Sequence, residues 1–263
     1  MHITSMENAF SLAGKTAIVT GGNRGIGLGI STALAHHGAN VAILCRDGDS
    51  AAGVVADFSG KYAGRFKHYH CDITNFDSCK AAVEGVIGDF GAINILVNNA
   101  GAGFGGDLLD MDDDLSMWFG AFDLDLHGAV RMCYLVGKHM RDAGNGGRVI
   151  NITSNAGNIV NKPFPLTPYS CAKAALNRLT KCLGNDWAKY GIRVNAIAPG
   201  YTHSNMSDNM PQEAQQMLID KIPVGRFGEA VEIGALAVYL ASDASDIMTG
   251  VVLTADGGYS LGM

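Results

Sequence analysis

Seven short apolar runs alternating with amphipathic stretches predict an α/β fold: a doubly wound parallel sheet of seven strands in a single domain over residues 1–263. Two further observations support that class. The first run leads straight into a glycine-rich turn, and the later runs end in small or polar residues. Right-handed crossovers bring every strand's C-terminal end to one edge of such a sheet, so a ligand crevice is expected there.

Lys15-Thr-Ala-Ile-Val-Thr20 reads as a buried strand, followed by Gly21-Gly22-Asn23-Arg24-Gly25-Ile26-Gly27 and an amphipathic helix over 28–37. Strand, glycine turn and helix suit a phosphate: glycines let the backbone approach it and the helix start offers N–H groups. Asn40-Val-Ala-Ile-Leu-Cys45 is the second strand, then a helix covers 49–62 and a third strand 66–71, closed by Asp72-Ile73. Asp72 could accept from an adenine amino group or cap the next helix, over 75–90. A fourth strand over 93–97 leads into Asn98-Asn99-Ala100-Gly101, small residues suited to a wall along a cofactor.

The acidic residues 110–114 should cap a long helix reaching about residue 142. A fifth strand over 148–153 delivers Ser154. A helix over 168–190 begins with Pro168, which suits a first turn. After a sixth strand over 193–198, Pro199-Gly200 opens a polar stretch over about 201–226. Its Met206, Met210, Met217 and Leu218 suggest a mobile substrate lid with its own short helix. A helix over 230–242 and a strand over 251–254 precede Asp256-Gly-Gly258.

Composition narrows the function. Hydrophobic residues make up 48% of the chain, enough for a large core, and the formal charge of −6 comes without any basic tract, which disfavours nucleic acid. No apolar run reaches membrane-spanning length and residues 1–10 lack a signal-peptide core, so a cytoplasmic protein with no membrane contact is expected. The six cysteines form no Cys-x-x-Cys pair and read as reduced, mostly buried thiols; the eight histidines lack metal-ligand spacing, and no metal site is expected.

Tyr169 and Lys173 stand four residues apart, on one helix face. An ammonium favours a nearby phenolate, which makes the pair a candidate general acid or base; Ser154 could donate to a carbonyl oxygen. The end of the second strand selects the nicotinamide cofactor. A carboxylate there would accept from a ribose 2′-hydroxyl, whereas arginines would fork a 2′-phosphate. Arg46, with Arg24 nearby, favours NADPH/NADP+ over NAD(H); Asp47 argues the other way, by pairing with Arg46 or reaching the ribose.

Six motifs in order, Thr20-Gly-x-x-x-Gly25-Ile-Gly27, Asn98-Asn-Ala-Gly101, Ser154, Tyr169-x-x-x-Lys173, Pro199-Gly200 and Asp256-Gly-Gly, resemble the short-chain dehydrogenase/reductase family from about Leu12 to the C-terminus. The resemblance implies a Rossmann-type fold and a homotetramer. It implies that Ser154 polarises the substrate oxygen, Tyr169 transfers the proton, and Lys173 holds the nicotinamide ribose and lowers the Tyr169 pKa. Cofactor contacts are implied at Gly21, Asn23, Arg24, Gly25, Ile26, Gly27, Arg46, Asp72, Ile73, Asn99, Ala100, Gly101, Tyr169, Lys173, Pro199, Gly200, Thr202 and Ser204.

Two features depart from the family pattern. Asp125 in Asp125-Leu-His-Gly128 stands where most members carry an asparagine whose main-chain carbonyl holds a water linked to the lysine. Asp125 is therefore a fourth catalytic candidate, through that carbonyl or by pairing with Lys173. The interval from Ser154 to Tyr169 is also about two residues longer than usual, near 161–165. Both features resemble the microbial mannitol dehydrogenase and sorbose reductase branch, which interconverts ketoses and polyols. A small polar ketone or polyol is then the expected substrate, with Asn155, Asn158, Asn161, His203 and Asn205 as candidate lining. The alternatives are a 3-oxoacyl thioester reductase acting on carrier-bound substrate and a non-catalytic NADP(H)-binding protein.

Overall fold

A computed structural model of the chain describes residues 6–160 and 164–262. Strands β1 (Thr16–Thr20), β2 (Asn40–Cys45), β3 (Phe66–His70), β4 (Ile95–Asn98), β5 (Gly147–Ile152), β6 (Ile192–Pro199) and β7 (Val252–Ala255) form one sheet. Their spatial order is β3-β2-β1-β4-β5-β6-β7 and every pairing is parallel. The order reverses between β1 and β4, the place where a doubly wound sheet opens a crevice.

Successive strand residues feed two cores, one on each face. Val19, Ile43, Val97 and Ile150 join helices α1 (Gly25–His36), α2 (Gly48–Lys61) and α9 (Ala230–Ala241). Ile18, Leu44, Leu96 and Val149 join α3 (Phe76–Phe90) and α5 (Gly128–Ala143). Burial on both faces explains why the central strands are apolar without alternation. The exception is edge strand β3, Phe-Lys-His-Tyr-His, whose polar side chains guard an open edge.

Helix starts follow local caps. The side chains of Asp47 and Asn75 accept from the N–H groups of Ser50 and Ser78, so Asn75, rather than Asp72, caps α3. The predicted long helix from 110–114 is divided. Leu115 sits at φ 52°, in the left-handed region, and α4 (Ser116–Phe122) starts only after it. The cap position is Leu115, which offers no side-chain acceptor; Asp114, one residue earlier, accepts from the Ser116 N–H. A π-helical turn over Asp123–His127 then joins α4 to α5. Such a widened turn often marks a functional position, and Asp125 is its buried residue.

Helix α6 (Thr167–Trp187) carries Pro168 in its first turn. The stretch after β6 holds two short helices, α7 (Asn205–Asp208) and α8 (Gln212–Ile219), where one was expected. Leu218 of α8 is fully buried in a small separate core with Ile222, Phe227 and Tyr259, so this stretch is packed against the C-terminal segment. Among the described residues no helix is long and apolar enough to cross a membrane, and no cluster of three or more His, Cys, Asp or Glu could hold a metal ion. Cys45, Cys71, Cys79 and Cys133 are buried free thiols; Cys171 and Cys182 are exposed.

Candidate active site

A cleft of about 440 Å³ runs along the C-terminal edge of the sheet. Strand order fixes the sequence of groups along it: Asp72 after β3, Arg46 after β2, the glycine turn after β1, Asn99 to Gly101 after β4, Ser154 after β5 and Pro199-Gly200 after β6.

The glycine turn is shaped for a close-lying anion. Gly21 and Gly25 have positive φ, and a side chain at Gly27 would collide with the Gly21 carbonyl. No side chain caps the start of α1 and no acidic residue lies in its first turn, so its N–H groups and dipole end face the cleft uncompensated. These features fit a dinucleotide pyrophosphate. Gly21, Arg24, Gly25, Ile26 and Gly27 line the cleft; Asn23 does not, and instead its buried amide donates to Ser50 Oγ at 3.2 Å. Sequence alone gave no sign that this asparagine would turn inward to brace α2.

Arg46, Asp72 and Ile73 also line the cleft. Asp47 is occupied as the cap of α2, accepting from Ser50 N–H at 3.1 Å, and is not part of the lining. This capping bond engages one of its carboxylate oxygens. Asp72 Oδ1 accepts from both the N–H and the hydroxyl of Thr74, at 3.0 and 2.7 Å, and these two bonds hold its pKa below the usual carboxylate value. The Asn99 amide is tied to the carbonyls of Thr20 and Gly21 at 2.9 and 3.3 Å, so it locks β4 to the glycine turn.

Ser154, Tyr169, Lys173 and Asp125 meet on this cleft. Ser154 Oγ accepts from the Ala156 N–H at 3.1 Å, which leaves its own proton free to donate. Lys173 Nζ lies 5.6 Å from the Tyr169 ring centre, on the same face of α6. Lys173 is 4% exposed. Its ammonium donates to the Ile152 carbonyl at 3.2 Å and pairs with Asp125 Oδ1 at 3.1 Å. Two of its three N–H groups are thus used, and one remains. The same Asp125 oxygen accepts from Ala102 N–H at 3.3 Å, while Oδ2 is buried with no partner. Any side chain at Gly101 would strike that carboxylate.

Burial opposes both charges of this pair. For Lys173 the attraction of Asp125, and then of Tyr169, outweighs burial and its pKa rises. For Asp125 burial outweighs the attraction of Lys173, and its pKa rises too. These directions pull the proton opposite ways. We hold to the ion pair, because a neutral carboxyl would leave a buried ammonium with only a carbonyl oxygen for a partner.

Asn155, Leu166, Tyr201 and Met210 line the same cleft as Ser154 and Tyr169. Among the described residues expected here, Asn155 lines the cleft and Asn158 and His203 do not. Asn158 is turned to Asn177 at 3.0 Å, and His203 is exposed and paired with Asp208 at 2.7 Å. Asn161 and the Asn205 side chain lie outside the described residues. Leu166 and Tyr201 were missed by sequence reasoning; the place of Tyr201 directly after Pro199-Gly200 was the available signal. Pro199, Gly200, Thr202 and Ser204 line the cleft as anticipated.

Residues 21–260 match a family model described as enoyl-(acyl carrier protein) reductase. The chain is 37% identical over 259 residues to the NADP-dependent mannitol dehydrogenase of Alternaria alternata, covering 97% of this chain and 96% of that protein. It is 36% identical over 260 residues to a sorbose reductase of Candida albicans, covering 98% and 91%. The crystal structure of a short-chain type dehydrogenase/reductase from Mycobacterium marinum superposes with a TM-score of 0.93 at 34% identity, covering 97% and 99%. With the strand order and the serine, tyrosine and lysine on one cleft, the chain belongs to the short-chain dehydrogenase/reductase family and is an oxidoreductase.

Proposed function

We propose that this protein is an NADPH-dependent reductase of a ketose or similar polar ketone, reversible to the polyol. The observation that carries the reading is a single cleft that joins Arg24 and Arg46 at one end to Ser154, Tyr169 and Lys173 at the other. The similar mannitol dehydrogenase and sorbose reductase support the substrate class.

Bound NADP(H) would supply or accept the hydride at the carbonyl carbon. The two guanidinium groups would fork its 2′-phosphate, and the glycine turn its pyrophosphate. Ile73, Asn99 to Gly101, Pro199, Gly200, Thr202 and Ser204 would wall the rest. Ser154 donates its free proton to the substrate oxygen and so holds the carbonyl in place. Tyr169 gives that oxygen a proton during reduction and takes one during oxidation. Lys173, fixed by Asp125 and Ile152, directs its remaining N–H into the cleft, toward a ribose hydroxyl. The stretch over 201–226 acts as a lid that sheds water from the site, with Met210 facing the substrate. A cytoplasmic homotetramer completes the reading; light scattering tests the assembly.

The thioester alternative keeps the same chemistry but needs a basic surface for an acidic carrier. Lys221 and Arg226 in the lid are offset by Asp208, Glu213 and Asp220, and Arg226 is bound to Glu232 at 2.8 Å. A carbonyl panel with both cofactors is the test. Fructose or sorbose should be reduced with NADPH far faster than an acetoacetyl thioester. The reverse ranking would overturn the substrate class, and tight NADPH binding without any turnover would leave a non-catalytic binder.

A further inference from the structure

One amide in the cleft has hydrogen-bonding capacity to spare beside the reacting groups. Asn155 directly follows Ser154, so its backbone lies ~3.8 Å along the chain from the serine's. Its residue is 3% exposed and lines the cleft. One N–H donates to Asp256 Oδ2 at 3.4 Å, its partner among the described residues. Asp256 is itself fixed, accepting from the N–H groups of Gly258 and Ser260 at 3.0 and 2.9 Å. Burial works against its charge, but the bonds from Ser260, Asn155 and Gly258 outweigh it and the pKa falls. An anchored amide still has a carbonyl oxygen and a second N–H.

Several polar groups elsewhere in the cleft are already engaged. Asn99 is bound to Thr20 and Gly21. Thr202 donates its hydroxyl to the Gly200 carbonyl and Ser207 to that of Thr202. A hydroxyl is both donor and acceptor, which is what the unspent half of a primary amide matches. Asn155 lines the same cleft as the carbonyl-holding serine, one residue along the chain.

We propose that Asn155, braced by Asp256, selects α-hydroxy ketones by binding the hydroxyl on the carbon adjacent to the reacting carbonyl. The inference rests on the reading of Ser154 and Tyr169 as the carbonyl site.

The test compares kcat/KM for 3-hydroxy-2-butanone and 2-butanone, with NADPH, in wild type, Asn155→Ala and Asn155→Leu. Wild type should prefer the hydroxy ketone by about tenfold, the value of one net hydrogen bond. In both variants that ratio should fall toward one. A wild-type ratio near one overturns the inference even if neither variant folds. So does a preference that survives in both variants. An enzyme inactive on both ketones but active on an acetoacetyl thioester overturns the proposed function, and this inference with it.

Discussion

Along the cleft, the half that follows β1 and β4 is walled largely by glycines, alanines and Asn99, with Arg24, Arg46 and Asp72 at its far end, whereas the half that follows β5 and β6 carries Ser154, Asn155, Tyr169, Lys173 and Tyr201. The first half holds its shape through short-range devices. Helix caps and positive-φ glycines are examples. In the second half the key contacts are long-range: Lys173 to Asp125, and Asn155 to Asp256 across 101 residues. A backbone-walled half suits a ligand that never changes. A side-chain-walled half can be altered one residue at a time while the glycine turn stays intact.

The comparison can be broken most sharply at Tyr169. If chemistry resides in the second half alone, Tyr169→Phe should lower turnover by about 10²–10⁴-fold while NADPH still quenches or enhances fluorescence at the wild-type concentration. Turnover near wild type would remove Tyr169 from the chemistry. Lost NADPH binding would mean that the two halves are not separable.

The first half is probed at Arg46. Arg46→Ala should reduce the preference for NADPH over NADH by roughly tenfold to a hundredfold, the worth of a charged hydrogen bond. The rate with NADH should change little. An unchanged preference would leave Arg24 as the one guanidinium acting at that end.

The same division explains what could be read from the chain before its structure. The seven strands, their parallel direction and the edge on which the motifs meet were legible, because apolar runs and glycine turns are local signals. So were Ser154, Tyr169 and Lys173. Less legible was anything set by packing. Asn23 looks like part of the glycine turn but turns inward to Ser50. His203 and Asn158 look like substrate ligands, yet find closer partners in Asp208 and Asn177. The break at Leu115 follows from a left-handed backbone at a residue type that seldom adopts it.

The smallest expected effect is the most informative about Asp125. Asp125→Asn keeps an oxygen that can accept from Lys173 and Ala102 but removes the charge. Burial alone would lower the Lys173 pKa; the attraction of Asp125, then of Tyr169, raises it instead. A lysine with a raised folded-state pKa lends stability that is complete below the unfolded value of ~10.4 and is lost as pH climbs through the folded value. Wild type should therefore keep its activity and its urea midpoint from neutrality up to about pH 10. In Asp125→Asn the buried ammonium has lost its counter-charge and should release its proton earlier. The alkaline decline in activity should then begin at lower pH than in wild type, with turnover at pH 7 reduced only a few-fold, while the urea midpoint, lower than wild type at neutrality, should rise as the buried lysine sheds its proton. Superimposable profiles for the two proteins would show that Asp125 fills space beside Gly101 and that Lys173 keeps its charge without it.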